Sequence, residues 1–204
     1  MGNNVDYIKS LTKQKKKSVT ITIDEKVLDD VTMIAEELNI SRNQIISDTT
    51  ANFVEDYKKW QNPKYYIINS NYTYMPDGHL HMLLGNRASA WGDTKTAIDN
   101  MEPGSYVFIY LNEHGIVGAG TIESTYQVND YCLVKYHDKF GVADEHFVKV
   151  AFDKTSLNAD NTINDSSVVT AKMFKEHVSN KVLNRTKVEL STQEGEKLKK
   201  LYVG

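Results

Sequence analysis

The chain has 204 residues, enough for one large domain or two small ones. Hydrophobic residues make up 40% and charged residues 25%, as in an ordinary soluble protein, and no apolar run approaches the roughly 18 residues that would span a bilayer. The N-terminus lacks the apolar stretch of a signal peptide, so we expect a cytoplasmic protein with no membrane partner.

The net charge of −3 argues against a protein that is coated in basic surface. The lysines are nevertheless concentrated near the N-terminus, where residues 9–17 contain five of them and no acid. Such a segment either contacts phosphates or serves as a solubilising tail. We therefore predict a basic flexible arm over residues 1–17.

Residues 18–60 show strong periodicity. The segment SVTITID (18–24) alternates apolar with hydroxyl side chains, which predicts a strand. Asp24 suits the N-cap of a helix whose apolar side chains recur at helical spacing as far as Leu38. Asn39 can end that helix in a left-handed conformation, and Ser41 can cap a second helix.

One strand and two short helices cannot close a core alone. The strand also has no partner within this segment. Both difficulties disappear if two chains associate, with residues 19–23 pairing antiparallel with their symmetry mates.

The elements VTITID, EKVLDDVTMIAEEL, NIS and RNQIISDTTANFVEDY resemble, in this order, the ribbon-helix-helix family of Arc/MetJ-type repressors. The resemblance implies an intertwined β-α-α homodimer whose paired strands enter the major groove of double-stranded DNA. Outward strand side chains would touch bases, while the basic arm and the start of the second helix would hold phosphates. The implied DNA-binding residues are Lys16, Lys17, Ser18, Thr20, Thr22, Ser41, Arg42 and Asn43. The alternative is that the two threonines are merely solvent-facing.

Residues 64–204 form a second predicted domain of α+β class, because strand-like apolar runs alternate with a few helical segments. Strands are predicted in the runs that begin at residues 65, 106, 115, 131 and 147. We predict a short helix after Gly92, a longer one from about 168 to 183, and a last one from Ser191, where Glu194 completes a capping box.

The segment NRASAWGDTKTAIDNMEPGSYVFIYLNEHGIVGAGTI resembles the PUA-like superfamily, especially its EVE branch. This resemblance implies a PUA-like mixed β-barrel with flanking helices that binds nucleic acid or a single modified base. Its candidate ligand-binding residues are Asn86, Trp91, Tyr106 and Tyr110, with an aromatic ring stacking on the base and the amide contacting its edge. The alternative for the aromatic residues is ordinary core packing. Strand 106–111 is apolar on both faces, so its aromatic face needs a cover.

The other groups of polar residues do not indicate a catalytic or metal-binding site. His79 and His81 lack a third ligand at standard spacing, so no metal site is predicted. Residues 144–146 (Asp-Glu-His) fit a solvated loop, and Cys132 fits a buried structural thiol. Catalytic motifs are absent, so we predict neither an enzyme nor a cofactor.

The preferred function is a dimeric, sequence-specific transcriptional repressor whose C-terminal domain binds a nucleotide, modified base or other small ligand. The alternative is an antitoxin or phage-encoded inhibitor, in which the C-terminal domain masks a protein partner and the N-terminal module autoregulates its promoter. A base-modifying or nuclease-linked enzyme is a third hypothesis, for which the sequence offers no catalytic residues.

Overall fold

The computed structural model describes residues 20–61, 63–136 and 139–204. Within them the chain forms two compact units that meet between Asn52 and Phe53. None of the helices in these ranges is both long enough and apolar enough to cross a membrane. The predicted basic arm over residues 1–17 lies outside the described residues.

The first unit contains helix α1 (Glu25–Leu38) and the first part of helix α2 (Arg42–Gln61), whose residues from Phe53 onward belong to the second unit; the sequence predicts both helices. The Asp24 carboxylate accepts a hydrogen bond from the Lys26 amide at 3.0 Å and so caps α1. Asn39 ends α1 with a φ of 53°, in the left-handed region. The Ser41 hydroxyl accepts from the Gln44 amide at 3.1 Å and caps α2.

The predicted strand at the start of this unit is not formed. Residues 20–24 have no regular secondary structure, and residues 18 and 19 lie outside the described residues. The physical reason is that a strand needs a hydrogen-bonded neighbour, and a single chain supplies none to this segment.

The second unit contains seven strands, three helices and two short 3₁₀ segments within the described ranges. In chain order these are β1 (Tyr65–Asn69), α3 (Gly78–Leu84), β2 (Arg87–Trp91), a 3₁₀ helix (Gly92–Ile98), β3 (Tyr106–Leu111), β4 (Gly115–Ile122), β5 (Gln127–Tyr136), β6 (Lys139–Thr155), a 3₁₀ turn (Asp165–Ser167), α4 (Ala171–His177), β7 (Lys187–Leu190) and α5 (Thr192–Tyr202).

The strands form one mixed sheet in the order β2-β6-β4-β3-β1-β7, with β5 added to β6. Only β1 and β3 are parallel; every other pairing in the described sheet is antiparallel. The sheet curls into a half-barrel that brings β1 close to β2, although the two are not hydrogen-bonded neighbours. The predicted α+β class is confirmed for this unit.

The two faces of the sheet bury separate cores, because β3 is apolar on both sides. Val107, Ile109 and Leu111 face a core that contains α3 and the end of β2. The alternate residues of β3 face a second core under α4 and α5. The aromatic face of β3 is thus covered by the protein's own helices.

Two local predictions for this unit were wrong, and three elements were not predicted. The helix expected over 168–183 is only Ala171–His177, because Val169 bridges to Ile116 before it and the chain turns away after it. Residues 144–146 belong to strand β6 rather than to a solvated loop. Strands β2 and β7 and helix α3 were not predicted.

Candidate functional site

A cavity opens where the edge strand β2 ends, and we call it the Trp91 cavity. Its volume is about 420 Å³, within the range of small-molecule sites. Its walls come from segments that are distant in sequence: Asn69, Asn71, Tyr74, Trp91, Asp93 and Tyr136 are among the lining residues. The cavity therefore depends on the folded sheet and does not exist in any one segment.

The amide groups at one side of the Trp91 cavity are held in place by internal hydrogen bonds. Asn69 is buried; its Nδ2 donates to the Leu183 carbonyl at 3.1 Å, and its Oδ1 accepts from the Asn71 amide at 2.8 Å. Asn71 has a φ of 57° and presents an exposed side chain, as does Asp93, another lining residue of the cavity. One rim thus offers an amide and a carboxylate beside an aromatic wall.

Trp91 is the aromatic wall of this cavity and also contributes to the core. Its side chain is 8% exposed, and its ring lies 5.8 Å from the His81 ring, centroid to centroid, at an interplanar angle of 59°. The indole Nε1 is buried and has no hydrogen-bond acceptor among the described residues. A buried donor without an acceptor costs about 1–3 kcal/mol, so this atom needs an explanation.

Of the four ligand-binding residues predicted from the sequence, only Trp91 lines this cavity. Asn86 is exposed in the turn between α3 and β2, with a φ of 48°, and its carbonyl accepts from the Val150 amide. Tyr106 and Tyr110 lie on the opposite face of the sheet, in the core under α4 and α5. The structure does not bring these residues together with Trp91, because alternate positions of β3 point to opposite faces.

Tyr106 has a structural partner of its own. Its hydroxyl donates to an Asp153 carboxylate oxygen at 2.7 Å. Burial, together with this hydrogen bond and the negative charge of Asp153, raises the pKa of Tyr106 well above its ordinary value. The Tyr106 side chain is therefore part of the core and does not face the Trp91 cavity.

The predicted DNA-binding residues fall into three groups. Lys16, Lys17 and Ser18 lie outside the described residues. Thr20 and Thr22 are exposed in the segment that precedes α1. Ser41, Arg42 and Asn43 are exposed at the start of α2, where the Arg42 guanidinium lies 3.4 Å from the Thr32 hydroxyl.

A second cluster of polar side chains surrounds Glu145, which is fully buried in β6. One carboxylate oxygen accepts from the Ser89 hydroxyl at 2.6 Å and lies 2.7 Å from His81 Nε2. The other accepts from Asn129 Nδ2 at 3.2 Å and lies 3.6 Å from an Arg87 guanidinium nitrogen. Burial alone would raise the pKa of Glu145, but the bonds from His81 and Ser89 outweigh it and hold the pKa at about 2.

Sequence reasoning missed this cluster because its members come from different elements. Glu145 was assigned to a loop, yet its neighbour Phe147 and the following residues already showed the apolar character of a strand. Cys132, on β5, is buried as predicted. Its Sγ lies 3.9 Å from His81 Nε2. Cys132 and His81, which the sequence analysis considered separately, therefore lie together beside the Glu145 carboxylate.

The chain matches no protein-family model. A search of curated proteins likewise finds no match. Among solved structures, the chain is similar to a YTH domain-containing protein, mmi1, in a complex with RNA. The two are 15% identical, the match covers 69% of this chain and 82% of that chain, and the TM-score is 0.41. This likeness is too distant to assign a family or a function.

Proposed function

We propose that the chain is a dimeric, ribbon-helix-helix type DNA-binding regulator whose second unit binds a nucleobase-like ligand in the Trp91 cavity. The observation that carries the first part is the uncovered apolar face of α1. A single chain buries only Ala35 of this helix, whereas Val27, Ile34 and Leu38 remain between 41% and 60% exposed.

A second copy of the chain is the cover that fits this face. The apolar residues of α1 recur at the spacing of a packed helix, so one continuous surface is presented to the partner. Residues 20–24 have the alternating sequence pattern of a strand but no partner strand among the described residues, and Ile21 is 57% exposed. In a dimer this segment pairs with its symmetry mate, burying Ile21 and leaving Thr20 and Thr22 outward, toward DNA.

The second part of the proposal is supported by the chemistry of the Trp91 cavity. A flat aromatic wall beside an amide and a carboxylate suits a planar heterocycle that carries both donors and acceptors. Stacking on one aromatic side chain is worth roughly 1–3 kcal/mol, or about a ten- to hundredfold change in affinity. A nucleoside or modified base has this chemistry.

The dimer is tested by sedimentation of the full chain with Ile21→Asp. Because the dimer would bury two opposed carboxylates at this position, we expect monomers and loss of binding to cognate DNA. Val182→Asp is the matched control, since Val182 is a β-branched apolar residue of the second unit whose exposure is similar to that of Ile21. An Ile21→Asp protein that still dimerises and binds DNA would refute the ribbon-helix-helix assignment.

DNA contacts are tested by salt titration with cognate and scrambled duplexes. Thr20→Ala should weaken the cognate complex selectively, because a base contact is lost. Replacing Lys16 and Lys17 with alanine should weaken both complexes and flatten the salt dependence, because phosphate contacts are lost. Equal losses on both duplexes for Thr20→Ala would contradict base recognition by this segment.

Ligand binding is tested by the fluorescence of Trp91 in a Trp60→Phe background, since these are the two tryptophans of the chain. Nucleosides, modified nucleosides and short single strands are titrated in turn. Asp93→Asn should weaken a responding ligand, whereas Tyr110→Phe, on the other face of the sheet, should not. No change in fluorescence with any of these ligands would refute the nucleobase proposal.

The alternative function, masking of a protein partner, is favoured by one observation. The β5–β6 pair presents an apolar face to solvent, formed by Tyr131, Leu133, Phe140 and Val142, each at least 62% exposed. Such a patch is typical of a protein-binding surface. Replacing Leu133 and Phe140 with serine should release a stoichiometric partner that co-purifies from native cells, while DNA binding is retained; co-purification that survives the change would count against masking by this face.

A further inference from the structure

Three side chains with metal-binding atoms converge behind Trp91, and each comes from a different element. His81 is on α3, Cys132 on β5 and Glu145 on β6. One nitrogen, one sulfur and one oxygen of these residues lie within 4.8 Å of one another. Residues that are 51 and 64 positions from His81 meet here only because the sheet folds over α3.

The donor set is that of a zinc site. Zn²⁺ binds thiolate sulfur at about 2.3 Å and imidazole nitrogen or carboxylate oxygen at about 2.0–2.2 Å, in a tetrahedral arrangement. These bond lengths place two ligand atoms roughly 3.3–3.6 Å apart. The observed 3.9 Å between Cys132 Sγ and His81 Nε2 is close to this value. The observed 2.7 Å between Nε2 and the Glu145 oxygen requires this pair to open by about 0.6 Å or more, and the Cys132 sulfur and the Glu145 oxygen, within 4.8 Å of each other, must close to about 3.6 Å.

The unpartnered indole of Trp91 is an independent observation that points to the same place. Its Nε1 is buried with no hydrogen-bond acceptor among the described residues, and its ring lies 5.8 Å from the ring of His81, centroid to centroid. A metal-bound thiolate is a far better acceptor than a thiol, so it would satisfy this buried N–H.

The carboxylate is also held from behind, as metal-ligating carboxylates are. Ser89 and Asn129 each donate to Glu145, so its orientation does not depend on His81. One thiolate and one carboxylate balance the charge of Zn²⁺, which leaves the partly exposed Arg87 guanidinium, 3.6 Å from the other oxygen of the buried Glu145, as the net positive charge of the cluster.

We propose that His81 Nε2, Cys132 Sγ and one Glu145 oxygen bind a Zn²⁺ ion, which ties the β5–β6 pair to α3 behind the Trp91 cavity. On binding, the Cys132 S–H bond breaks, the sulfur–zinc bond forms and the proton passes to the buffer. The three protein ligands leave one tetrahedral position for water or another small ligand. This site is separate from the proposed DNA and nucleobase functions and does not depend on either.

The test uses the full chain, freed of metal with a chelator and then titrated with Zn²⁺ against a competing indicator. We expect one zinc per chain and release of about one proton from Cys132 for each ion bound. Co²⁺ in the same protein should give a sulfur-to-cobalt charge-transfer band, which reports the thiolate ligand directly.

Cys132→Ser should abolish the charge-transfer band, and His81→Gln should weaken zinc binding by more than about 100-fold, beyond the effect of an outer hydrogen-bonding partner. His146→Gln is the matched control, because His146 contacts Asp99 rather than this cluster, and it should bind zinc normally. The wild-type cobalt spectrum keeps the test decisive even if a variant fails to fold. A wild-type chain without stoichiometric zinc, a cobalt spectrum without the sulfur band, or unchanged affinity in His81→Gln would each overturn the proposal.

Discussion

Replacing Glu194 with glutamine should destabilise the second unit in a pH-dependent way. Glu194 completes the capping box of α5: its carboxylate accepts from the Ser191 amide at 2.7 Å, and its own amide donates to the Ser191 hydroxyl. The same carboxylate lies 2.8 Å from Lys181 Nζ and accepts from the Ser179 hydroxyl at 2.5 Å. Glutamine keeps the shape of this side chain but removes its charge.

The magnitude follows from the pKa of Glu194. Burial alone would raise this pKa, but the bonds from Lys181 and Ser179 outweigh it and hold the pKa at about 2, against an ordinary 4.5. Taken in full, that shift is worth about 3 kcal/mol. The side chain is 22% exposed, so solvent screening reduces the expected contribution to about 1–2 kcal/mol.

The sign of the pH dependence is fixed by the direction of the shift. Because the folded-state pKa is lowered, the stabilisation is complete above about pH 4.5 and is lost as the pH falls toward 2. Urea unfolding followed by Trp91 fluorescence, in the Trp60→Phe background, measures the free energy of unfolding of this unit. At pH 7 the free energy of unfolding of the wild type should exceed that of Glu194→Gln by about 1–2 kcal/mol, and this difference should shrink steadily below pH 4.5.

Glu189→Gln provides the control. Glu189 is also paired with a lysine, but its side chain is 63% exposed and the separation is 3.9 Å, so its loss should cost less than about 0.5 kcal/mol. A Glu194→Gln variant as stable as the wild type at pH 7, or a difference that does not change between pH 7 and pH 3, would refute the assigned role of this carboxylate.

Two further stability predictions concern α5. Gly195→Ala should destabilise the second unit by more than about 2 kcal/mol in the same urea assay, because the new Cβ would lie 2.0 Å from Tyr65 Cγ. An unchanged midpoint would show that α5 can move off β1. Tyr202→Phe should cost about 1–1.5 kcal/mol, because the Tyr202 hydroxyl donates to Ser156 at 2.8 Å while Ser156 donates to the Ser167 carbonyl. A neutral effect would mean that water replaces the lost donor.

Local signals in the sequence predicted the helix ends well. Asp24, Asn39, Ser41 and the Ser191–Glu194 box act as caps because each satisfies backbone groups within a few residues of itself. The apolar runs of β3 and β4 likewise predicted their strands, since both are buried throughout.

The Trp91 cavity and the Glu145 cluster could not be predicted from local sequence patterns, because their members are distant in sequence. Trp91, which the sequence predicts to stack on a base, lines the cavity, but the other lining residues Asn69 and Tyr136 come from β1 and β5, which no sequence spacing relates. Tyr106 and Tyr110 were selected because the aromatic face of β3 needed a cover. That cover is α4 and α5, whose positions depend on pairings of β7 with β1 across more than a hundred residues.

Strand β6 gives the second unit an uneven resistance to opening. Glu145, His146 and Phe147 are hydrogen-bonded to strands on both sides, β2 on one and β5 on the other, whereas residues 139–143 pair with β5 alone. Backbone amides at the doubly paired stretch can exchange with solvent only when the sheet itself comes apart, while the two-stranded end can fray separately. The buried Glu145 carboxylate therefore lies in the part of β6 whose backbone amides should exchange most slowly. The apolar face at Phe140 and Val142 lies in the two-stranded part, which can change shape around a partner without opening the stretch at Glu145.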